Sequence, residues 1–98
     1  MAKQIFDGVI EAVRYAQDGK IDVVRAFERR GATYSDSIII MRANLVTRLK
    51  NGQKFITGTR KEFLGSTFET RKIVRMSGDF ITTGSETRRD QLEEVPNL

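Results

Sequence analysis

The sequence contains neither cysteine nor histidine in its 98 residues. Without cysteine the chain forms no disulfide, no thiolate nucleophile and no Cys-ligated metal site. Without histidine it lacks the commonest general base and the commonest metal ligand in proteins. We therefore expect a non-enzymatic protein with no cofactor and no bound metal, located in the reducing cytoplasm.

Long apolar runs are also missing. No stretch approaches the about 20 apolar residues that span a bilayer, and the first residues lack the apolar core of a secretory signal. We therefore expect no membrane partner. The hydrophobic fraction of 39% is modest, but the aliphatic residues recur in dense periodic runs, as in a folded domain. A chain of this length forms one domain.

The clearest local signal is a β-hairpin near the amino end. Two apolar-rich runs, Ile5–Ala16 and Ile21–Arg30, flank the dipeptide Asp18-Gly19, which tolerates the positive φ angles of a type I′ turn. Facing residues should then have numbers that sum to 37. This register predicts the pairs Ile10–Phe27, Val13–Val24, Ala16–Ile21 and Asp7–Arg30, with Gly8 as a bend or bulge.

The remaining strands are indicated by β-branched runs and by alternation. The run Ile38–Met41, at the end of a predicted strand over Thr33–Met41, is typical of a central strand that is buried on both faces. A turn at Ser77-Gly78-Asp79 separates the last two strands. The other predicted strands cover Gln53–Gly58, Thr67–Met76 and Phe80–Thr83.

Residues 42–51 fit two interpretations. As a helix, Met41, Leu45, Val46 and Leu49 form an apolar stripe, and Asn51-Gly52 caps the carboxyl end. As a strand, the same residues would lead into a hairpin turn at Asn51-Gly52. The helix is favoured, because the strand would leave Val46 isolated among charged residues.

Together these elements predict a mainly β (α+β) fold. We expect a small antiparallel curved sheet or partly open barrel of about six strands with one short helix. Residues 1–84 form the predicted domain. Residues 85–98 include six charged residues and the only proline, and we expect them to form a mobile, solvated tail with at most a frayed helical turn at Arg89–Glu94.

No catalytic or phosphate-binding motif is convincing. Asp7 and Glu11 would lie about 13 Å apart along a strand, too far for a glycosidase carboxylate pair. Asp36 and its hydroxyl-bearing neighbours Tyr34, Ser35 and Ser37 are more typical of side chains that bind nearby backbone groups. The segment Gly58–Lys61 could cradle a phosphate, but a simple junction between a strand and a capped turn over Thr59–Glu62 is favoured.

Basic clusters give the strongest functional indication. Seventeen Lys and Arg residues against 13 Asp and Glu residues give a net charge of +4. Cations interleaved with rings such as Phe63 and Phe68 on a small β-domain are typical of oligonucleotide-binding modules. We therefore predict a surface that binds single-stranded nucleic acid or another polyanion. Its predicted residues are Arg25, Arg29, Arg30, Arg60, Lys61, Arg71, Lys72 and Arg75.

A protein-interaction module is the alternative. The first ribbon and the strand at Thr67–Met76 could present unpaired edges, and such edges pair with a partner strand or with a second copy of the chain. Arginines also suit the rims and centres of protein interfaces. This alternative predicts self-association or the capture of another protein by strand-edge pairing.

Overall fold

The computed structural model describes residues 6–31, 33–60, 68–84, 89–93 and 95–98. It confirms the mainly β fold class: a single open, mixed sheet of six strands in the order β3-β2-β1-β4-β5-β6, with one short helix. The elements in chain order are β1 (Gly8–Tyr15), β2 (Ile21–Arg30), β3 (Thr33–Met41), α1 (Arg42–Lys50), β4 (Phe55–Arg60), β5 (Phe68–Ser77) and β6 (Phe80–Thr82).

The first hairpin is confirmed, but its predicted turn type is wrong. Ala16 O accepts from Gly19 N at 3.0 Å, and Ala16 N donates to Lys20 O at 2.7 Å. The loop therefore has three residues, and Gly19 supplies its positive φ of 86°. Asp18 Oδ1 also accepts a hydrogen bond from Lys20 N at 3.0 Å.

Two irregularities change the predicted register. The sum of 37 holds where Val13 faces Val24, but it becomes 36 on either side of the segment Ala12–Arg14. Ile10 therefore faces Ala26 rather than Phe27, and Ile21 faces Tyr15 rather than Ala16. Asp7 likewise lies beside Arg29 rather than Arg30, and the backbone bond from Arg29 N to Asp7 O is 2.9 Å long.

The helix over residues 42–50 is confirmed, together with its glycine cap. Gly52 has a φ of 89°; its N–H donates to Leu49 O at 3.1 Å, while Gln53 N donates to Arg48 O at 3.1 Å. These two bonds form a Schellman motif, which satisfies carbonyls that a helix end would otherwise leave unpaired. The cap fixes the direction in which the chain leaves the helix toward β4.

The prediction is an antiparallel sheet, but the sheet is mixed, because β1 and β4 pair in parallel through Gly8–Ile10. The chain reaches β4 from β3 through α1, in a crossover that the sequence analysis did not expect. The strand β3 is an edge strand rather than a central one. Its side chains alternate, so that Ile40 is buried while Ile39 and Met41 are 55% and 64% exposed.

The sheet order also corrects the predicted strand edges. In the first ribbon β3 covers β2, and β4 pairs with β1 only through Gly8–Ile10. The strand β5 lies between β4 and β6, but β6 pairs with it only through Arg75–Ser77. The edge strands of the sheet are β3 and β6.

Residues 89–93 and 95–98 pack against the sheet. Leu92 is buried in the main core with Leu45, Phe55 and Ile81. Beyond the end of the β1–β4 pairing, Val13 N donates to Pro96 O at 3.0 Å, and Val13 O accepts from Leu98 N at 2.9 Å. The prediction that this segment is solvated is therefore wrong at Leu92, because its side chain is buried in the main core. The division of the chain at residue 85 stays a prediction.

Candidate anion-binding cleft

The six predicted basic residues whose side chains the structure describes form two separate groups rather than one patch. Arg25, Arg29 and Arg30 lie on β2, whereas Arg71, Lys72 and Arg75 lie on β5. The strands β1 and β4 lie between them, so the groups are about 14 Å apart across the sheet. The side chain of Arg60, and Lys61 and Phe63 entirely, lie outside the residues that the structure describes.

Acidic side chains compensate the β2 group. Arg25 Nε lies 2.7 Å from Glu11 Oε1. The guanidinium groups of Arg29 and Arg30 lie 3.7 Å from Asp7 and Glu28 respectively. A polyanion would have to compete with these carboxylates. The free energy lost when each existing ion pair breaks would offset part of the free energy gained from the new contact. The β2 group is therefore a poor candidate site.

A polar cleft of about 390 Å³ beside the β2 group also contains equal numbers of acidic and basic side chains among its described lining. Its lining includes the acids Asp7 and Glu28 and the arginines Arg29 and Arg48. Arg48 Nη1 donates to Glu28 Oε2 at 2.8 Å. The two acids offset the two arginines, so this cleft carries no net excess of positive charge.

Two members of the β5 group, Lys72 and Arg75, differ in the charge of their partners. Lys72 Nζ donates to Glu93 Oε2 at 2.7 Å, and Arg75 Nη2 donates to the carbonyl of Gly84. Because that acceptor is neutral, Arg75 keeps its net charge. Opposite Thr57 the register shifts by one residue at positions 71–72.

Arg75 forms part of a cleft of about 420 Å³, here called the β5 cleft, between the carboxyl end of α1 and β5. Three cations surround it: Lys50, Lys54 and Arg75. None of the described residues that line it is acidic. The described lining consists of Leu49, Lys50, Gly52, Gln53, Lys54, Ile73, Val74, Arg75 and Met76.

Backbone bonds fix the geometry of the β5 cleft. The Schellman motif at Gly52 turns the chain sharply after Lys50. Both backbone polar groups of Lys54 bond to Asp7: Lys54 N donates to Asp7 Oδ2 at 2.8 Å, and Lys54 O accepts from Asp7 N at 2.7 Å. One residue later, Phe55 pairs with Val74 on β5. The cations therefore stand on anchored backbone rather than on a long loop.

The end of α1 that borders the cleft is its negative end, which opposes anion binding. The macrodipole corresponds to about half a negative charge there, against three positive side chains. The carbonyls of Thr47, Arg48 and Leu49 already accept bonds from the N–H groups of the next residues along the chain, 51 to 53. The local potential is therefore dominated by the side-chain cations.

Sequence reasoning missed Lys50 and Lys54. Lys50 falls within the predicted helix over residues 42–51, and Lys54 falls within the predicted strand Gln53–Gly58. The available signal was their spacing around the predicted cap at Asn51-Gly52, because a sharp turn brings the residues on its two sides together. The position of β5 beside that turn, which brings Arg75 near, depends on non-local pairing.

The other candidate motifs have structural roles. Ser35 Oγ accepts from Glu28 N at 3.1 Å and donates to Asp36 O at 2.7 Å, in agreement with the interpretation of a hydroxyl that binds nearby backbone. Tyr34 donates its hydroxyl to Phe6 O at 2.9 Å, and burial raises its pKa. Within the described residues, no three His, Cys, Asp or Glu side chains gather in a way that could hold a metal ion.

The predicted phosphate cradle and capped turn do not form over Gly58–Arg60. Gly58, Thr59 and Arg60 belong to β4, and they pair with Thr70, Glu69 and Phe68 on β5. Their backbone N–H groups are therefore part of a ladder rather than of a loop. The remainder of that motif, residues 61 and 62, lies outside the described part of the chain.

One buried ion pair connects distant parts of the fold. The Asp90 side chain has no exposed surface; it accepts from Arg42 Nε at 2.7 Å, from Ile21 N at 2.7 Å and from Ile81 N at 2.9 Å. Burial alone would raise the pKa of Asp90, but these hydrogen bonds together lower it below its ordinary value. Because the buried carboxylate of Asp90 accepts bonds from three separate segments of the chain, its role is structural.

Comparison with known proteins adds no family assignment. No protein-family model matches the chain, and neither a curated protein nor a solved structure is significantly similar to it. In the part of the chain that the structure describes, no helix has the length and apolar character needed to cross a bilayer.

Proposed function

We propose that this chain is a small non-enzymatic binding domain of the cytoplasm, and that it binds an anionic ligand in the β5 cleft. The observation that carries the proposal is the convergence of Lys50, Lys54 and Arg75 around one concave surface with no acidic residue among its described lining. Like charges gathered in a cleft raise the local concentration of a counter-ion. The cleft therefore replaces the broader set of eight basic residues as the site.

Binding of a polyanion should depend on salt and on these three cations. Each contact of a lysine or arginine with a single-stranded phosphate adds about −0.7 to the slope of log K against log salt. Three contacts give a slope of about −2. Changing Lys54→Gln or Arg75→Gln should reduce that slope by about 0.7 and lower the affinity roughly five- to tenfold at about 50 mM salt. Fluorescence anisotropy with a labelled single-stranded oligonucleotide measures both quantities.

The matched control for this experiment is Arg25→Gln. Arg25 is an exposed arginine, but it already binds Glu11, so its loss should leave the slope within experimental error. Failure of the wild-type chain to bind the oligonucleotide or heparin at low salt would refute the proposal. An equal effect of Arg25→Gln would show that binding follows total charge rather than the cleft.

Self-association through β3 is a second candidate, favoured by a different observation. The strand β3 is an edge strand that carries two exposed apolar side chains, Ile39 and Met41. Proteins usually protect such edges with lysine, proline or an inward-pointing charge. Residues 33–41 contain no lysine and no proline, so a second copy of the strand could pair there.

A lysine on this edge should abolish such pairing. We expect the wild-type chain to sediment with a mass that rises toward that of a dimer as concentration increases. Ile39→Lys should stay monomeric, because a buried ammonium at the paired edge is costly. Ile73→Lys changes an equally exposed isoleucine on an interior strand and should sediment like the wild type. A wild-type chain that is monomeric at its highest soluble concentration would eliminate this candidate.

A further inference from the structure

The β5 cleft has an apolar floor in addition to its cations. Leu49 and Met76 are half-buried, pack against the main core and line the cleft. Beside them, Ile73 is 51% exposed. An exposed aliphatic side chain on an interior strand is stabilised when a ligand covers it, by about 25 cal/mol for each Å² of apolar surface removed from water.

The described floor of the cleft consists of non-aromatic apolar side chains. Proteins that hold single-stranded nucleic acid stack its bases on aromatic side chains or arginine planes, and no aromatic residue occurs among the described residues that line this cleft. A nucleic acid bound here would use its phosphates and leave the floor uncovered. A ligand that joins carboxylates to aliphatic groups would use both parts of the site.

The spacing on β5 matches an extended peptide. Ile73 and Arg75 are both exposed and two residues apart on one strand, which places them about 6.6 Å apart along it. An extended peptide presents alternate side chains with the same period. A leucine facing Ile73 would then place an acidic residue two positions away beside Arg75, in a cleft that Lys50 and Lys54 also line.

From this match we infer that the β5 cleft binds an extended acidic segment of another protein in which an aliphatic side chain is followed, two residues later, by a carboxylate. The inference rests on the proposed function and names its ligand. Two features carry it together: cations without a described acid in the lining, and an aliphatic floor with one exposed isoleucine at the period of a strand.

The test uses two short peptides of equal charge, one in which leucine and glutamate lie two residues apart on the same face and one with serine in place of each leucine. We expect the leucine peptide to bind at least about tenfold more tightly, because burial of a single leucine side chain is worth about 1.5–3 kcal/mol. Ile73→Ser should lower the affinity for the leucine peptide about five- to tenfold and leave the affinity for the serine peptide unchanged. Titration calorimetry measures the affinities, and amide chemical shifts near Lys54 and Ile73 locate the site.

The control variant is Ile39→Ser, which changes an equally exposed isoleucine on β3, at the other edge of the sheet. It should bind both peptides like the wild type. Equal binding of the two peptides, or an equal loss in Ile39→Ser, would overturn the inference while the oligonucleotide test of the cations still stands. Absence of binding to the oligonucleotide or heparin would instead overturn the proposed function itself.

Discussion

Asp90→Ala should lower the free energy of unfolding by about 3–5 kcal/mol, the usual cost of removing one partner from a buried ion pair. The substitution leaves the guanidinium group of Arg42 and the backbone N–H groups of Ile21 and Ile81 without the acceptor that now binds all of them. A small domain is stable by only about 5–15 kcal/mol. The melting temperature should therefore fall by at least about 12 °C, as measured by circular dichroism.

Asp22→Ala is the matched control for Asp90→Ala. Asp22 also binds an arginine through two nitrogens, with Arg14 Nε and Nη2 at 3.0 and 2.8 Å from its Oδ2. Both side chains are largely exposed, at 60% for Arg14 and 42% for Asp22. Exposed pairs contribute about 0–1 kcal/mol, so this variant should melt close to the wild type. Similar losses in the two variants would contradict the structural role assigned to burial.

The same carboxylate predicts an acid dependence of stability. The pKa of Asp90 is lowered in the folded state, so its contribution is complete above the unfolded pKa of about 3.9 and is lost as the pH falls through the folded value. Wild-type stability in urea should therefore decrease more steeply below about pH 4 than that of Asp90→Asn, which has no carboxylate to protonate. Parallel curves for the two proteins would contradict the lowered pKa.

Local signals predicted the elements of this fold well. The helix over residues 42–50 follows from the spacing of Leu45 and Leu49 and from the glycine cap, since both act within a few residues of the chain. The strand β3 shows where such reasoning stops. The β-branched residues before Met41 match a strand that is buried on both faces, yet the position of a strand in a sheet depends on which distant segments pair with it.

The candidate site shows the same division. Arg25 and Arg75 are equivalent in the sequence, each a cation within a strand. They differ because the bulged hairpin places Glu11 beside Arg25, whereas the antiparallel β4–β5 pairing and the cap at Gly52 bring Lys50 and Lys54 toward Arg75. Charge compensation is thus a property of the tertiary structure, and composition alone could not separate the two arginines.

The parallel pairing of β1 and β4 depends on a glycine that the sequence analysis interpreted as a bend. Gly8 faces Phe55 across this junction, and the Phe55 ring, which is fully buried, occupies the space that a Cβ atom at Gly8 would need. Phe55→Ala should therefore lower the free energy of unfolding by about 3–5 kcal/mol. Gly8→Ala should lower it by about 1–3 kcal/mol, because the packed ring cannot move away without strain.

A double-mutant cycle tests whether these two costs have one cause. If the Cβ atom of residue 8 and the ring compete for the same space, Gly8→Ala combined with Phe55→Ala should destabilise the protein by less than the two single losses added together, because the methyl group fills part of the cavity that the ring leaves. The coupling should be about 0.5–3 kcal/mol, measured by urea unfolding. Strictly additive losses would mean that Gly8 is required for its backbone conformation alone, as the original interpretation of a bend implies.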